Sequence, residues 1–313
     1  MAQPTTAFST YDAKGNREDL VDYIYDVSPT DAPLMQAIPR VKAMGVLHEW
    51  QVDALDSAGT NYKIEGDDAP AATHTATTRR GNRCQILSKT SIVTGTQMAV
   101  KHAGRDDERA YQLDKMIKSL KRDIEFAISD NNAAVTGNDT LAREMAGFPA
   151  WIFTNYSKHS GGTLPTGDGS DAYSDGTARV FTEDLLQAAL ELAYTNGGNP
   201  SLGIVNAFNK RKVSLFAGNA TRFDKSEDKK LVAAIDVYVG DFHTIDFKPS
   251  RFIETDMCYL VDPEYAALAW LRPLEVSELA ISGDYSKDLV LAECTLEVRN
   301  EQAHAMVFDL TVS

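Results

Sequence analysis

The sequence has few cysteines, no long apolar run and no surplus of positive charge. Its three cysteines, Cys84, Cys258 and Cys294, lie far apart and form no Cys-x-x-Cys pair, so the usual zinc and thiol-exchange motifs are absent. No stretch approaches the roughly 18 apolar residues that a membrane span needs. The first residues have neither a basic start nor an apolar export segment. We therefore predict an unexported, soluble chain in a reducing compartment, with no membrane partner.

The charge balance is acidic. Forty-five Asp and Glu residues against 31 Lys and Arg residues give a net charge of −14, which repels the phosphate backbone of nucleic acids. The 43% hydrophobic content, with 12 Tyr and 12 Phe, supplies enough apolar material for one large or two modest cores. The composition excludes global disorder and argues against a dedicated nucleic-acid-binding protein.

Common catalytic signatures are absent as well. The sequence contains no P-loop, no Gly-x-Gly-x-x-Gly, no Gly-x-Ser-x-Gly and no His-Glu-x-x-His motif. The six histidines never lie three or four residues apart, so no two of them can bind a metal from one helix face. We predict no catalytic residue, no cofactor and no metal site.

A long hairpin is predicted in the first third of the chain. From Val46 apolar and polar residues alternate, which predicts a strand with Trp50 on its apolar side. A second strand-like stretch, Arg83–Thr96, is rich in Thr, Ile and Val, whereas Ser57–Asn82 is dominated by Ala, Thr, Gly and Asp. The far end of this hairpin has no core of its own, so it must be mobile or contact a neighbouring surface.

The strongest periodic signal predicts a helix over Asp106–Asp130. Its apolar residues, which recur at i, i+3, i+4 and i+7, are Leu113, Met116, Ile117, Leu120, Ile124 and Ile128. Asp114 with Lys118, and Lys121 with Glu125, are spaced as ion pairs on a solvated side. At 1.5 Å per residue this helix would be about 37 Å long. It could form the spine of an elongated subunit.

The second half of the chain predicts a compact domain. The Gly-, Ser- and Asp-rich stretch Ser157–Arg179 predicts a surface loop, and Glu183–Tyr194 predicts an amphipathic helix. Asn209 is placed to cap a short helix. Alternation returns over residues 290–298 and 304–312, which predicts an antiparallel pair of strands.

A small acidic cluster lies near the far end of the predicted hairpin. Glu65, Asp67 and Asp68 flank Gly66. Two interpretations are open, namely a cation site or a salt-bridge partner for a basic patch on another subunit, and we favour the second.

Several short blocks follow one another in a set order between about residue 8 and residue 155. They are Gly15–Leu20, Ser28–Pro33, His48–Gln51, Asn61 with Glu65–Ala69, Asn82 with Gln85 and Ile86, and Ala103–Arg105 with Lys121–Glu125. As an ordered set they resemble the tailed-phage major capsid (head) proteins with the Hong Kong 97-type fold. The resemblance implies an α+β fold in which an extended loop lies across the adjacent subunit.

The resemblance also implies a division of the chain into parts. An N-terminal arm would occupy residues 1–45 and the extended hairpin loop, or E-loop, residues 46–98. A peripheral domain would combine residues 99–180 with 275–313 and contain the spine helix at about 106–130. An axial domain would occupy residues 181–274. Because the helix follows the arm and the hairpin, we expect any scaffolding protein to be separate.

The function implied by the resemblance is structural. Copies of the chain would form pentamers and hexamers of the icosahedral head of a tailed double-stranded DNA phage, assembled in the host cytoplasm and located in the virion. The partners would be the chain itself with separate scaffolding, portal and decoration proteins, and the DNA would be enclosed without sequence-specific binding. The alternative is an encapsulin-like cellular nanocompartment shell protein, and a third interpretation is a hydrolase or metal-dependent enzyme built from scattered residues.

Candidate contacts between subunits follow from this reading. They are Trp50, Lys63, Glu65, Asp67 and Asp68. Lys63 is a possible donor for a covalent cross-link, but no acceptor is identified, so we predict no cross-links. We also expect the net charge of −14 to leave the inner face of the shell acidic or neutral, because such a face would not hold incoming DNA tightly.

Overall fold

The computed structural model describes residues 31–55, 58–68, 75–102, 104, 106–216 and 237–312. The helices in these ranges are α1 (Pro33–Ala37), α2 (Gly95–Ala99), α3 (Glu108–Ser129), α4 (Glu183–Thr195) and α5 (Ala207–Val213). The strands are β1 (Arg40–Lys42), β2 (Leu47–Val52), β3 (Thr78–Arg83), β4 (Gln85–Thr94), β5 (Tyr156–Ser157), β6 (Leu202–Val205), β7 (Val237–Val239), β8 (Thr244–Pro249), β9 (Cys258–Val261), β10 (Ala266–Glu278), β11 (Tyr285–Val298) and β12 (Ala305–Val307). Most of the predicted N-terminal arm lies outside the described residues. None of the helices in the described ranges combines the length and apolarity of a membrane span.

A four-stranded sheet carries the long helix. Its strand order is β1-β10-β11-β4, with β1 parallel to β10 and the other neighbours antiparallel. The helix predicted over Asp106–Asp130 is confirmed as α3, whose N-cap residue Asp107 accepts hydrogen bonds from the backbone N–H groups of Arg109 and Ala110. The predicted apolar stripe of β11 is buried in the same core as the apolar face of α3, and its residues are Val290, Ala292, Cys294, Leu296 and Val298.

A second, six-stranded sheet contains the rest of the strands outside the hairpin. Its order is β5-β12-β9-β6-β8-β7, a mixed sheet in which β6 runs parallel to β8 and antiparallel to β9. The predicted helix α4 packs Leu186, Ala189 and Leu190 into the core beside this sheet. Every residue of β6, β9 and β12 is buried, as expected for strands covered on both faces. Strands β7 and β8 pair antiparallel and form a hairpin at one edge of this sheet.

The predicted pairing of the two C-terminal segments is wrong. Strand β11 lies between β10 and β4 in the first sheet, whereas β12 lies between β5 and β9 in the second. Alternation reports which face of a strand is buried, but the partner strand is chosen by packing across the whole chain. After β9 the chain therefore crosses between the two sheets twice, once over residues 262–265 and once over residues 299–304. The second crossing places β12 outside the sheet that holds β11.

His304 links the two crossings. Its imidazole is fully buried, with Nδ1 accepting a hydrogen bond from the backbone N–H of Asp262 (3.1 Å) and Nε2 within 3.3 Å of the carbonyl oxygen of Tyr265. The ring also meets Phe148 edge-on, with ring centroids 5.2 Å apart. Burial lowers the pKa of His304 from 6.5 to about 4, because a buried imidazolium would lose its hydration.

We expect His304 to make the subunit less stable in acid. Because its pKa is lower in the folded state, the unfolded chain takes up the proton first, so stability is lost as the pH falls from 6.5 to about 4. The loss should be on the order of 3 kcal/mol and should show in urea unfolding at several pH values. His304→Gln should lose less stability over the same interval. The exposed His159→Gln should behave like the parent chain, and an equal loss in all three chains would contradict the assignment.

Glu125 does not lie on the solvated side of α3. The predicted pair Asp114–Lys118 is present at 2.7 Å, but the predicted pair of Lys121 with Glu125 is wrong. Glu125 is fully buried, and its carboxylate accepts the backbone N–H groups of Leu34 (3.0 Å) and Met35 (2.8 Å) at the start of α1. Burial raises the pKa of Glu125, although these two hydrogen bonds act in the opposite direction.

The cap of α5 also differs from the prediction. Asn206, not Asn209, is the N-cap residue, and its side-chain oxygen accepts the backbone N–H of Asn209 at 2.6 Å. Asn209 lies inside the helix and is buried. The cap lies three residues earlier than predicted because strand β6 ends at Val205, directly before Asn206.

The carboxylate of Asp309 holds the Gly-rich segment 157–179 in place by hydrogen bonds at three positions. Asp309 is buried and accepts hydrogen bonds from the Tyr173 hydroxyl (2.9 Å), the Gly176 N–H (2.6 Å) and the His159 N–H (2.8 Å). Its φ of 61° lies in the left-handed region, which costs energy for a residue other than glycine and persists when surrounding contacts hold it. The segment is therefore a structured loop, although its sequence predicted only a solvated one.

Candidate functional site: an extended hairpin anchored at its base

The hairpin is built from β2 and β3. These strands pair antiparallel from Leu47 opposite Arg83 to Val52 opposite Thr78. The predicted second strand, Arg83–Thr96, is wrong as the partner of β2, because β4 instead pairs with β11 in the four-stranded sheet. The change of sheet occurs at Cys84, a fully buried residue between β3 and β4. The consecutive strands β3 and β4 thus belong to different sheets. An apolar pattern along the chain does not show which sheet a strand joins.

Asn82 fixes the base of the hairpin. The residue is fully buried, and its amide nitrogen donates hydrogen bonds to the carbonyl oxygens of Ala146 (3.1 Å) and Leu296 (2.8 Å). Its amide oxygen accepts the N–H groups of Ala146 (2.9 Å) and Arg83 (2.8 Å). Both donors and the acceptor oxygen are satisfied, so the side chain bonds three separate segments together.

A polar contact and an aromatic contact hold the other strand of the base. His48 Nε2 lies 2.9 Å from a carboxylate oxygen of Glu297, whose second oxygen accepts from Arg299 at 3.0 Å. The Trp50 ring packs on Trp151 with ring centroids 5.3 Å apart. The base of the hairpin therefore rests on the C-terminal end of β11.

Beyond its base the hairpin leads away from the subunit. Residues 52–55, Thr75, Ala76 and Thr78 line a cleft of about 430 Å³ together with Trp151 and residues 300–302. Residues 300–302 follow β11 in the chain, so this part of the hairpin lies beside the C-terminal end of that strand. Every residue in the range 58–68 is exposed. We call residues 58–68 the tip.

The tip contains four of the five predicted contact residues. Lys63, Glu65, Asp67 and Asp68 are all exposed and surround a turn in which the Asp67 N–H donates to the Ile64 carbonyl oxygen at 3.0 Å. Gly66 occupies this turn with a φ of 82°, a left-handed conformation that favours glycine at this position. Trp50, the fifth residue, lies apart from them at the base.

Large apolar side chains accompany the charges. Leu55 is 99% exposed, Tyr62 89% and Ile64 82%. Isolated exposed apolar residues are common, but three within one projecting segment indicate a surface that another molecule covers. The tip therefore combines apolar groups with three carboxylates and one amine.

The described residues show neither a metal-binding cluster nor an activated thiol. Within the described ranges, no three His, Cys, Asp or Glu side chains are grouped so as to hold a metal ion. The three cysteines are buried and free, and burial raises the pKa of Cys84 to about 11 and that of Cys294 to about 12. A thiol with a raised pKa is a poor nucleophile.

Sequence reasoning missed the residues that anchor the hairpin. His48 and Asn82 belong to the blocks that carry the resemblance, but their roles depend on partners 249 positions away for His48 and up to 214 positions away for Asn82. A buried polar residue in a strand has no periodic signature of its own. The only available signal was the presence of Asn and His in otherwise strand-like segments.

Comparison with known families gives one match over nearly the whole chain. Residues 3–311 match the family described as SU10 major capsid protein. The chain is also 26% identical to the major capsid protein of Escherichia phage Phieco32, over 350 aligned positions that cover 98% of each chain.

Solved structures share the fold. The capsid asymmetric unit of Cyanophage A-1(L) superposes with a TM-score of 0.64 at 12% identity, covering 97% of this chain and 98% of that one. The SrpI encapsulin of Synechococcus elongatus PCC 7942 gives a TM-score of 0.56 at 12% identity, covering 95% and 93%. At such identities these similarities concern the fold alone, and they confirm the predicted α+β Hong Kong 97-type architecture.

Proposed function

Because the chain belongs to the SU10 major capsid protein family, we propose that its copies assemble as pentamers and hexamers into the icosahedral head of a tailed double-stranded DNA phage. The family consists of structural shell proteins, not enzymes. The single observation that carries the proposal is the family match over residues 3–311. The projecting tip supports it, since its exposed apolar residues need a partner surface.

The proposed parts of the subunit keep the predicted ranges. Residues 1–45 form the arm, 46–98 the extended loop, 99–180 with 275–313 the peripheral domain, and 181–274 the axial domain. Two strands refine this division. Strand β4 lies within the extended-loop range yet pairs in the four-stranded sheet, and β10 continues past residue 274 in that same sheet.

The tip is the proposed contact between subunits. The exposure of Lys63, Glu65, Asp67 and Asp68 supports their assignment to this contact. Trp50 packs on Trp151 of its own subunit, and its contact with another subunit stays a prediction.

The remaining proposed partners are separate scaffolding, portal and decoration proteins, together with DNA that is enclosed without sequence-specific binding. The acidic composition supports the last point, because a net charge of −14 opposes tight binding of DNA. In this proposal the chain assembles in the host cytoplasm and resides in the virion.

An encapsulin-like shell is the second candidate. The similarity to the SrpI encapsulin favours it at the level of the fold. The two functions differ in what the shell encloses, so purified particles should be analysed for DNA and for co-purifying protein. A protein cargo in place of DNA would favour the encapsulin-like function.

The proposed function is tested by the mass and shape of the purified chain. We expect light scattering to show megadalton particles, or rings of five and six subunits, and negative-stain microscopy of the same fractions to show closed shells. If only the 34.3 kDa monomer is found, the measurement is repeated with a co-produced scaffolding protein. A chain that stays monomeric under both conditions would contradict the proposal.

A further inference from the structure

One face of the long helix α3 carries a row of positive charges that ends at α1. Glu125 lies toward the C-terminal end of this face and accepts the first two backbone N–H bonds of α1, at 3.0 and 2.8 Å. Lys121 and Lys118 precede Glu125 by four and seven residues, so they share its face. Both lysines are exposed. We call this surface the basic face, and its charged residues are Asp114, Lys115, Lys118, Lys121 and Arg122.

The basic face has a net positive charge in a chain whose total charge is −14. It carries four cations against a single anion, Asp114, which pairs with Lys118 at 2.7 Å. Asp123 does not reduce this surplus, because its carboxylate pairs with Lys89 of β4 at 2.7 Å, on the side of the helix that meets the sheet. The basic face is therefore left with a net charge of +3.

The positive charges are accessible and lie next to exposed aromatic surface. Lys115 and Lys121 are exposed, and neither forms an ion pair with any residue in the described ranges. The Arg122 guanidinium lies 5.5 Å from the centroid of the Phe252 ring. Phe126, four residues after Arg122, is 52% exposed. A ligand of this face would therefore need both acidic and apolar groups.

The chain that precedes α1 has this chemistry. Residues 17–27, which lie outside the described residues, contain four carboxylates and one arginine, a net charge of −3, together with Leu, Val, Ile and Tyr residues. Glu18, Asp22 and Asp26 are four residues apart, a spacing that places side chains on one face of a helix. The segment thus matches the basic face in charge and supplies apolar groups as well.

The connection to α1 brings this segment within reach of the basic face. The backbone nitrogen of Leu34 is held 3.0 Å from the carboxylate of Glu125. Val27 lies seven residues before Leu34, and seven residues span at most about 25 Å. From Glu125 back to Lys115 the helix advances by ten residues, or about 15 Å. The segment can therefore reach the entire basic face within its own subunit.

We propose that residues 17–27 bind the basic face of their own chain. The carboxylates of the segment, from Asp26 back to Glu18, pair with the cations of the face, from Lys121 back to Lys115. The apolar residues of the segment cover the exposed aromatic surface beside these cations. The inference goes beyond the proposed shell function and does not depend on it, because both partners belong to one chain.

The short connection favours the chain's own segment over that of a second copy. Because α1 is fixed on α3 by Glu125, the segment is tethered beside the basic face by only a few residues. A short flexible tether gives an effective concentration on the order of millimolar. The same segment of another copy would have to displace it from dilute solution.

Carbodiimide coupling of the unsubstituted chain tests the proposal directly. The reagent joins a carboxylate to an amine in contact with it, so peptides from residues 18–27 should become joined to peptides that contain Lys115, Lys118 or Lys121. Unlabelled and nitrogen-15-labelled chains are mixed in equal amounts as dilute subunits before coupling. Mass spectrometry should then find joined peptides that carry the same label on both sides.

The exposed pair of Asp114 with Lys118, 2.7 Å apart, is a built-in positive control for the coupling. If this pair couples and residues 18–27 do not couple to the basic face, the inference is overturned. Joined peptides with one light and one heavy partner would identify a second copy as the occupant and would overturn it as well.

Reversal of charge tests whether opposite charges hold the segment. The double variant Lys118→Glu with Lys121→Glu should release it, so that chymotrypsin cuts the segment at its tyrosines several-fold faster than in the parent chain. Adding Asp22→Lys and Asp26→Lys should restore slow cutting, because the charges are then opposite again. Cutting at the parent rate in the first variant, or no restoration in the second, would contradict the inference.

The matched control for charge reversal is Lys101→Glu with Arg211→Glu. Both residues are exposed and lie outside the basic face, so this variant should be cut at the parent rate. Equally fast cutting in the control would show a general effect of charge and would overturn the inference. These measurements use free subunits, so a failure to form shells would bear on the proposed function alone.

Discussion

Replacing the tip, residues 58–68, with a Gly-Ser linker of equal length is expected to give a folded subunit that forms no closed shells. All the residues removed are exposed, and the one backbone hydrogen bond within the turn, from Asp67 to Ile64, is local. The folded subunit should therefore keep its unfolding midpoint, because surface changes of this kind alter stability little. Microscopy should show loss of shells, and thermal unfolding should show an unchanged monomer.

Because the linker has the same length as the tip, this variant changes the side chains of the tip without changing the distance that the hairpin can span. The matched control replaces the turn 138–141, another exposed segment, with Gly and Ser residues, and this variant should still form shells. Normal shells from the tip variant would show that its apolar and acidic residues are dispensable, against the proposed contact.

The second large effect is expected from Asn82→Ala. The substitution leaves the carbonyl oxygens of Ala146 and Leu296 and the N–H of Ala146 without their buried partner. Buried groups without partners cost about 1–3 kcal/mol each, so we expect the free energy of unfolding to fall by about 3 kcal/mol or more. Urea unfolding measures this change, and hydrogen exchange should show β2 and β3 opening first.

Two further variants make the Asn82 result specific. Asn82→Asp keeps the size of the side chain but sets a carboxylate against two carbonyl oxygens, so its loss of stability should be at least as large. Asn61→Ala removes an exposed asparagine from the tip and should change stability by less than about 0.5 kcal/mol. Equal stabilities of the Asn61 and Asn82 variants would refute the role of Asn82 as an anchor.

The parts of the fold that the sequence predicts correctly depend on local patterns. The helix α3 shows its buried face in the spacing of Leu120, Ile124 and Ile128, and β11 shows its buried face in simple alternation. These patterns predict which face of each element is buried in the core. The ends of the helix were therefore predictable to within two residues, whereas β11 begins at Tyr285, five residues before the predicted alternation.

The partners of the strands were not predictable in the same way. The sequence placed β4 beside β2 because the two stretches are close in the chain, but the pairing of β4 with β11 joins residues about two hundred positions apart. Glu125 illustrates the same limit for side chains. Its spacing from Lys121 fits a surface ion pair, whereas its actual partners are backbone N–H groups at the start of α1.

For the candidate site, the composition of the tip predicts its exposure. No sequence pattern predicts that Asn82 anchors the base of the hairpin. A segment of Ala, Thr, Gly and Asp cannot form a core, so its projection could be expected. The hydrogen bonds of Asn82 depend on where Ala146 and Leu296 come together. No short-range sequence pattern predicts that the segments containing these two residues lie side by side.

The base of the hairpin has a mechanical consequence. A pull on the tip is resisted first where Asn82 holds Leu296 and where His48 holds Glu297, and both partners belong to β11. That strand is bonded along both edges, to β10 and β4, so the load spreads across many hydrogen bonds in parallel. The hairpin would therefore transmit tension between copies of the chain to β11. The four-stranded sheet beneath α3 would bear that force.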